Sequence, residues 1–574
     1  MDKRKDGQVV QLFWAIGQFC KGNLVDQMES AAAELTSALS TIQSPISTNA
    51  QRQRAHETIE AAKQRPSECA TLGVALILRT ESCLEAGNSK FLALSLLQHV
   101  LRFHWDTISK QEKETLKDAM VAWVAGPESS LNHAPRFLVE KSCAVLAQIA
   151  ERMWPVNWRQ FDDFLKTLFY KDIHSQERAL LVFKCLVEDT FLFENSIAEL
   201  RKKDLSISLI AITVDAPVLN KVYCSGDRAL ASSVSSGLNV DYVLNMIRAD
   251  PGNEGWLLRL SKNLIRLKQS DQNANPNIKH LIRLSLETIA AILNWIILEG
   301  IESSNILALL FELLISPSFE ERMDATECLI TLLSRSSLVS EEHCWRVILD
   351  PIFDSPFLLA GIRTAVAGVY GLGPDAWGVT LDQATQRIAV IETERHEYLK
   401  KLAELIAVFG EHQVFYKHMT QKPPNFGSFL ELVVYFTCHP SRSISLAVAP
   451  IWSDMATHEV YKHAPELSNY KVRLIDCSVA RITQMHSLPP GPGGPFSPET
   501  VRAYDEVEFL EEGEKAACID ALRQRCMELV KFLMVDYAAV VVATVEGYTR
   551  ALAFTPQEDA RNASLRAERC LWST

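Results

Sequence analysis

The chain contains no Cys-x-x-Cys pair, and its 13 cysteines are scattered from Cys20 to Cys570. That spacing supports neither a zinc framework nor a disulfide scaffold, and it suits reduced, buried thiols in a cytosolic or nuclear protein. A Gly-x-Ser-x-Gly elbow and a Gly-x-x-x-x-Gly-Lys-Ser/Thr loop are also missing. The sequence therefore lacks the strained turn of a hydrolase nucleophile and the backbone cradle for nucleotide phosphates. No apolar run approaches the ~20 residues of a membrane helix, so membrane insertion is not expected. The basic start precedes an apolar stretch broken by Gln11 and Gln18, with no small-residue cleavage site, which argues against a secretory signal. Positive charge is the minority: 58 Lys and Arg stand against 70 Asp and Glu, a net charge of −12 over 574 residues. This excludes a protein that coats nucleic acid with its whole surface and leaves room only for a local basic groove.

Metal and cofactor signals fail on spacing. His458-Glu459-x-x-x-His463 puts its histidines at i and i+5, roughly 140° apart on a helix, whereas zincin chemistry needs i and i+4 on one face. His412 and His418, six apart, are no better placed. Gly368-x-x-Gly371-x-Gly373 lacks the order of a dinucleotide loop and the strand that should precede it. No cofactor, metal or catalytic residue is expected, and the chain is read as a non-enzyme.

What is present is helical periodicity. In residues 88–126, Phe91, Leu92, Leu94, Leu96, Leu97, Val100, Leu101 and Phe103 leave one narrow polar stripe, Ser95, Gln98, His99 and Arg102. A helix that apolar must be covered on two sides. After the turn at Trp105, Ser109-x-x-Glu112 is a capping box that starts a second helix. Leu116, Ala119, Met120 and Trp123 form its buried stripe, and Lys113, Glu114, Lys117 and Asp118 its wet face. Gly126-Pro127 stops it.

Helix pairs recur roughly every 40 residues, the period of HEAT and armadillo arrays. The fold class expected is all-α, a HEAT/armadillo-type α-solenoid superhelix. Trp154, Pro155 and Trp158 form a turn in which proline ends one helix and two indoles pack the junction. The boundaries drawn are an N-terminal extension at 1–27, a first array at 28–204, an irregular insertion at 205–275, further repeats at 276–487, a Pro/Gly-rich linker at 488–504 and C-terminal helices at 505–574. Residues 206–214 alternate like a strand inside that insertion. Two basic clusters stand out: Arg201-Lys202-Lys203, and Arg259, Lys262 and Arg266 at three- and four-residue steps on one helix flank. A solvated face is the simpler reading of each; the sharper one is a phosphate-contacting stripe.

Residues 94–120 (LSLLQHVLRFHWDTISKQEKETLKDAM) resemble the N-terminal Ran-binding region of the importin-β-like nuclear transport receptors, the karyopherins. Residues 48–52, the Trp-Pro-x-x-Trp turn at 154–158, 186–189, 325–330, 425–432 and 437–441 agree in the same order. Among these receptors the likeness is greatest to exporters of double-stranded and precursor-microRNA. The resemblance implies a shuttling receptor of nucleus and cytoplasm, with Ran in its GTP form, structured RNA or protein cargo, and nuclear pore proteins as partners. By position, Lys113, Glu114, Lys117 and Asp118 are its Ran-binding candidates, and Trp105, Trp154, Pro155 and Trp158 the structural signature; Arg259, Lys262 and Arg266, singled out by their spacing and not by the resemblance, are the candidates for RNA phosphate. Family members run to about twice this length, so the chain corresponds to an N-terminal half; the insertion has no counterpart in them. The alternative is a HEAT scaffold that assembles protein partners without a nucleotide-dependent switch, or a truncated, non-transporting form.

Overall fold

The computed structural model describes residues 23–78, 87–126, 130–192, 199–224, 250–270, 276–335, 345–349, 352–353, 356–388, 390–411, 423–483 and 497–552. Among them the regular structure is helical, with no strand, and no helix is long and apolar enough to cross a membrane. The chain divides into two compact units. The first comprises residues 1–212, 237–246 and 264–291, the second residues 213–236, 247–263 and 292–574.

The first half of the chain supplies α1 (Asn23–Gln43), α2 (Asn49–Lys63), α3 (Pro66–Leu78), α4 (Gly87–Phe103), α5 (Lys110–Ala125), α6 (Arg136–Met153), α7 (Phe161–Phe169), α8 (Ile173–Phe191), α9 (Glu199–Thr213), α10 (Ala216–Cys224), α11 (Trp256–Gln269) and α12 (Pro276–Leu293). In unit 1, α3 pairs with α4, α5 with α6 and α7 with α8, and the second helices stack in turn, α4 on α6 and α6 on α8. This is the stacked-hairpin logic of a HEAT-type α-solenoid, in which each pair buries its apolar stripes on its neighbours. Helix α6 is accordingly buried nearly all round, through Leu138, Cys143, Val145, Leu146, Ile149 and Ala150. A fully buried leucine there contributes ~1.5–3 kcal/mol.

The hairpin expected over residues 88–126 is overturned: α4 and α5 both form, but α4 pairs back with α3 and α5 forward with α6, because the apolar stripe of each meets its other neighbour. Ser109 Oγ accepts from Glu112 N at 3.3 Å and Glu112 Oε2 from Ser109 N at 2.7 Å, so both halves of the capping box form. Leu94, Leu96, Leu97, Val100 and Leu101 are fully buried, whereas Phe91 and Phe103, expected in the same seam, are exposed. Helix α3 approaches α4 closely because Gly73 has no side chain: a Cβ there would meet Leu97 Cδ2 at 2.5 Å.

The strand-like alternation at 206–214 is overturned: residues 199–213 form α9, with Leu205, Leu209 and Ile212 fully buried. Ser206 and Ser208 do not break the helix because each hydroxyl donates to the carbonyl four residues earlier, at 2.8 Å. Of the insertion, 225–249 and 271–275 lie outside the described residues, as do 1–22 of the N-terminal extension.

The second half supplies α13 (Leu298–Ser304), α14 (Ile306–Leu313), α15 (Phe319–Ser334), α16 (Pro356–Val369), α17 (Val379–Gln386), α18 (Thr393–Gly410), α19 (Phe426–Thr437), α20 (Arg442–Val448), α21 (Pro450–Thr457), α22 (Lys471–Thr483), α23 (Pro498–Glu508) and α24 (Glu512–Leu552), the last bent at Tyr537. In unit 2, α15 packs on α18, α18 on α20, and α20 and α22 on α24. Residues 498–504, expected as linker, are the start of α23, where Ser497 Oγ accepts from Thr500 N at 3.0 Å. The Pro/Gly run itself lies outside the described residues.

Candidate functional site

The wet face expected on α5 is only partly wet. Lys117 keeps 16% of its side chain exposed, lies 2.5 Å from Glu114 Oε2 and 3.3 Å from Asp118 Oδ1, and is thus clamped by its own helix. Burial pulls its ammonium down, but the two carboxylates outweigh that and hold its pKa above the usual lysine value. Lys113 Nζ sits 5.0 Å over the ring of Trp105, a cation–π contact that fixes the half-buried indole at the entry to the helix. Two cations and two anions share this face, so its net charge is zero. A partner meeting it reads shape and the exposed Asp118 carboxylate more than a field.

Arg259, Lys262 and Arg266 all lie on α11. Residues of this helix through Asn263 belong to unit 2 and those from Leu264 to unit 1. Lys262 is exposed and pairs with Glu254 Oε1 at 2.9 Å. Arg259 is half-buried with its guanidinium 5.6 Å from the ring of fully buried Trp256. Arg266 is exposed in the last turn. Lys262 and Arg266 are thus the exposed members of the three, while Arg259 packs on Trp256.

Of the other basic cluster, Arg201 is committed to structure. Arg201 Nε donates to the carbonyl of Glu151 at 3.0 Å and Nη2 to that of Trp154, satisfying carbonyls that end α6. The signature turn is built over this contact. Trp154 and Trp158 are buried around Phe161, at ring centroid distances of 5.6 and 4.9 Å, and the Trp154–Pro155 peptide is cis. Glu151 is 3% exposed, and burial pushes its carboxyl up to about 7 in spite of Arg152 at 2.8 Å.

Sequence reasoning missed a buried polar network in unit 2. Glu508, the last residue of α23, lies 3.3 Å from His396 Nε2 of α18 and accepts from the hydroxyls of Ser441 and Ser443. Ser441 N donates to His439 Nδ1 at 3.1 Å, leaving His439 Nε2 to donate to Tyr370 Oη at 2.8 Å, which is 3.1 Å from Tyr504 Oη. Arg442 pairs with Asp505 alongside. No spacing rule finds such a network, since its members come from four separated stretches.

His458 and His463 are not partners: His458 Nδ1 accepts from Val460 N at 3.2 Å, and His463 Nδ1 lies 3.1 Å from Asp536. His412 and His418 fall outside the described residues. Among the described residues no group of His, Cys, Asp and Glu is arranged to hold a metal. A groove of about 560 Å³ between α15, α18 and α20 is lined by Asp324, Glu327, Lys400, Lys401 and Glu404. Lys401 bridges Glu327 and Glu404 at 2.5 and 2.9 Å, so much of its charge is neutralised in place.

The sequence signature of the exportin 1-like protein family matches residues 135–215, the stretch from α6 to the end of α9. The chain is 21% identical to exportin-5 of Mus musculus over 513 residues, 86% of this chain and 37% of that protein. It is 20% identical to exportin-5 of Homo sapiens over 465 residues, 80% of this chain and 34% of that protein. Protein MSN5 of Saccharomyces cerevisiae is 22% identical over 521 residues, 88% of this chain and 37% of that protein. The chain thus resembles exportin-5 along most of its own length, and spans little more than a third of the curated relatives it matches.

Proposed function

We propose that this chain is the HEAT-repeat portion of a nuclear export receptor of the exportin-5 type, shuttling between nucleus and cytoplasm and acting by binding, without catalysis. The observation that carries this reading is the breadth of the likeness: it runs through 80% or more of the chain to exportin-5 of two mammals and to a fungal protein. In this reading the partners are Ran in its GTP form, structured RNA such as precursor microRNA or double-stranded RNA, or protein cargo, and nuclear pore proteins. Helix α5, with Lys113, Glu114, Lys117 and Asp118, is the proposed Ran contact. Arg259, Lys262 and Arg266 of α11 are the proposed phosphate contacts.

The mechanism is linkage. If Ran-GTP and cargo favour one conformation of the stacked helices, each raises the affinity of the other by the same factor, and GTP hydrolysis releases both. The test is to titrate a short RNA hairpin against the chain with and without Ran-GTP. Tightening by roughly 5–150-fold, the usual range of such coupling, is expected, and equal tightening of Ran-GTP by the hairpin must accompany it. An RNA affinity indifferent to Ran would favour the second reading, a HEAT scaffold without a nucleotide switch. The closed ion pairs of Lys117 are the observation on that side, since a partner must open them to use the charge.

A further inference from the structure

Unit 2 contains a cluster of three buried cysteines that the export reading does not use. Cys438 ends α19, Cys477 lies on α22 and Cys526 on α24. Cys438 and Cys477 are brought together where the end of α19 meets α22. Each sulfur also lies against the other's neighbouring backbone: Cys438 Sγ is 3.9 Å from the carbonyl oxygen of Arg473, and Cys477 Sγ 3.9 Å from that of Thr437.

Two guanidinium groups flank this pair. Arg481 donates to the carbonyls of Thr437, at 2.5 Å, and His439, and Arg473 is held by Asp382 through two bonds of 2.7 Å. Both cations are thus fixed beside the sulfurs. The two thiols are consequently unequal. The neighbouring Cys438 thiol, with help from Arg481 and Arg473, draws Cys477 below the usual cysteine value against the effect of burial, while Cys438 is held well above it. Cys526 sits by Arg481 as well, but burial pushes its thiol up to about 12.

We propose that Cys438 and Cys477 form a peroxide-responsive pair that closes to a disulfide joining the end of α19 to α22. The Cys477 thiolate attacks one oxygen of hydrogen peroxide; the O–O bond breaks, hydroxide leaves, and Cys477 becomes a sulfenic acid. The sulfur of Cys438 then attacks the sulfenyl sulfur. An S–S bond forms, the S–O bond breaks, and the Cys438 proton leaves with the hydroxyl as water. Two thiols lose two electrons and peroxide gains them. Burial excludes bulky reagents, whereas hydrogen peroxide is little larger than water and enters when the helices breathe.

The test uses the full chain, reduced, exposed to hydrogen peroxide, then unfolded and blocked with N-ethylmaleimide before peptide mapping without reductant. A Cys438–Cys477 linked peptide, two hydrogens lighter than its parts, is expected. Cys477→Ser should abolish it and leave Cys438 alkylated, and Cys526→Ser should leave its yield unchanged. Recovery of both Cys438 and Cys477 alkylated, at a dose that oxidises the more accessible Cys518, would overturn the proposal. So would a Cys477–Cys526 link in its place. The unmutated chain decides the matter even where a serine variant fails to fold.

Discussion

Arg201 Nε donates to the main-chain oxygen of Glu151 at 3.0 Å, and the same guanidinium reaches the carbonyl of Trp154. One side chain from α9 thus closes the end of α6 under the Trp-Pro-x-x-Trp turn. Arg201→Ala should lower the stability of the chain by about 1–3 kcal/mol, because buried carbonyls lose a charged donor. Arg201→Lys should recover little, since an ammonium cannot reproduce the fork. Denaturation followed by tryptophan fluorescence reads both; an unshifted midpoint for the alanine variant would show that the turn holds itself.

Glu151, beside that contact, makes stability fall as pH rises. Burial moves its carboxyl from 4.5 to about 7, so between those values the folded chain binds the proton that the unfolded chain releases. The loss is complete above the folded value. Glu151→Gln removes it and should gain ~2–3 kcal/mol over the natural chain at pH 8, with the gain shrinking towards pH 5. A difference that does not change with pH would contradict this assignment.

In unit 2, Glu508 works in the opposite direction. Burial raises its carboxyl, but bonds from His396, Ser441 and Ser443 outweigh that and hold it below the usual carboxylate range. Its contribution is present above the unfolded value and lost as pH falls through the folded one. Glu508→Ala leaves the buried partners uncompensated and should cost ~3–5 kcal/mol. Amide exchange in residues 498–508 should rise in the variant at neutral pH, with α6 unchanged. Unaltered exchange there would mean that α23 is held by its apolar face alone.

The α11 cations separate by exposure. Lys262→Ala and Arg266→Ala should each flatten the salt dependence of RNA-hairpin affinity by roughly one phosphate's worth of slope. Arg259→Ala should act mainly on stability, through the lost packing on Trp256. An affinity independent of salt would remove phosphate contacts from the account.

The all-helical class, the helices α4 and α5, the capping box at the start of α5 and the buried tryptophan turn were legible because each rests on local spacing; which helices pair is not local, and α4 packs on α3 rather than on α5. Residues 206–214 misled because alternation of Ser with Ile and Leu fits a strand, while helix packing on both sides buries both sets. Lys113 and Lys117 share a helix face by spacing, but the face is only partly wet, and their pairing with Trp105, Glu114 and Asp118 depends on rotamers that spacing does not specify. Arg201 looked like part of a basic run, and only the fold shows that it meets carbonyls about 50 positions earlier. The His396–Glu508 pair was invisible for the same reason at longer range.

The proposed role of α5 is contact with a nucleotide-dependent partner. The most direct measurement is the affinity of the chain for Ran loaded with GTP and with GDP, repeated with Lys113→Glu combined with Lys117→Glu. The account predicts that the GTP form binds at least ~10-fold more tightly, a difference of about 1.4 kcal/mol, and that the double variant loses that preference with its helix content unchanged. Equal or absent binding of the two nucleotide forms would contradict it.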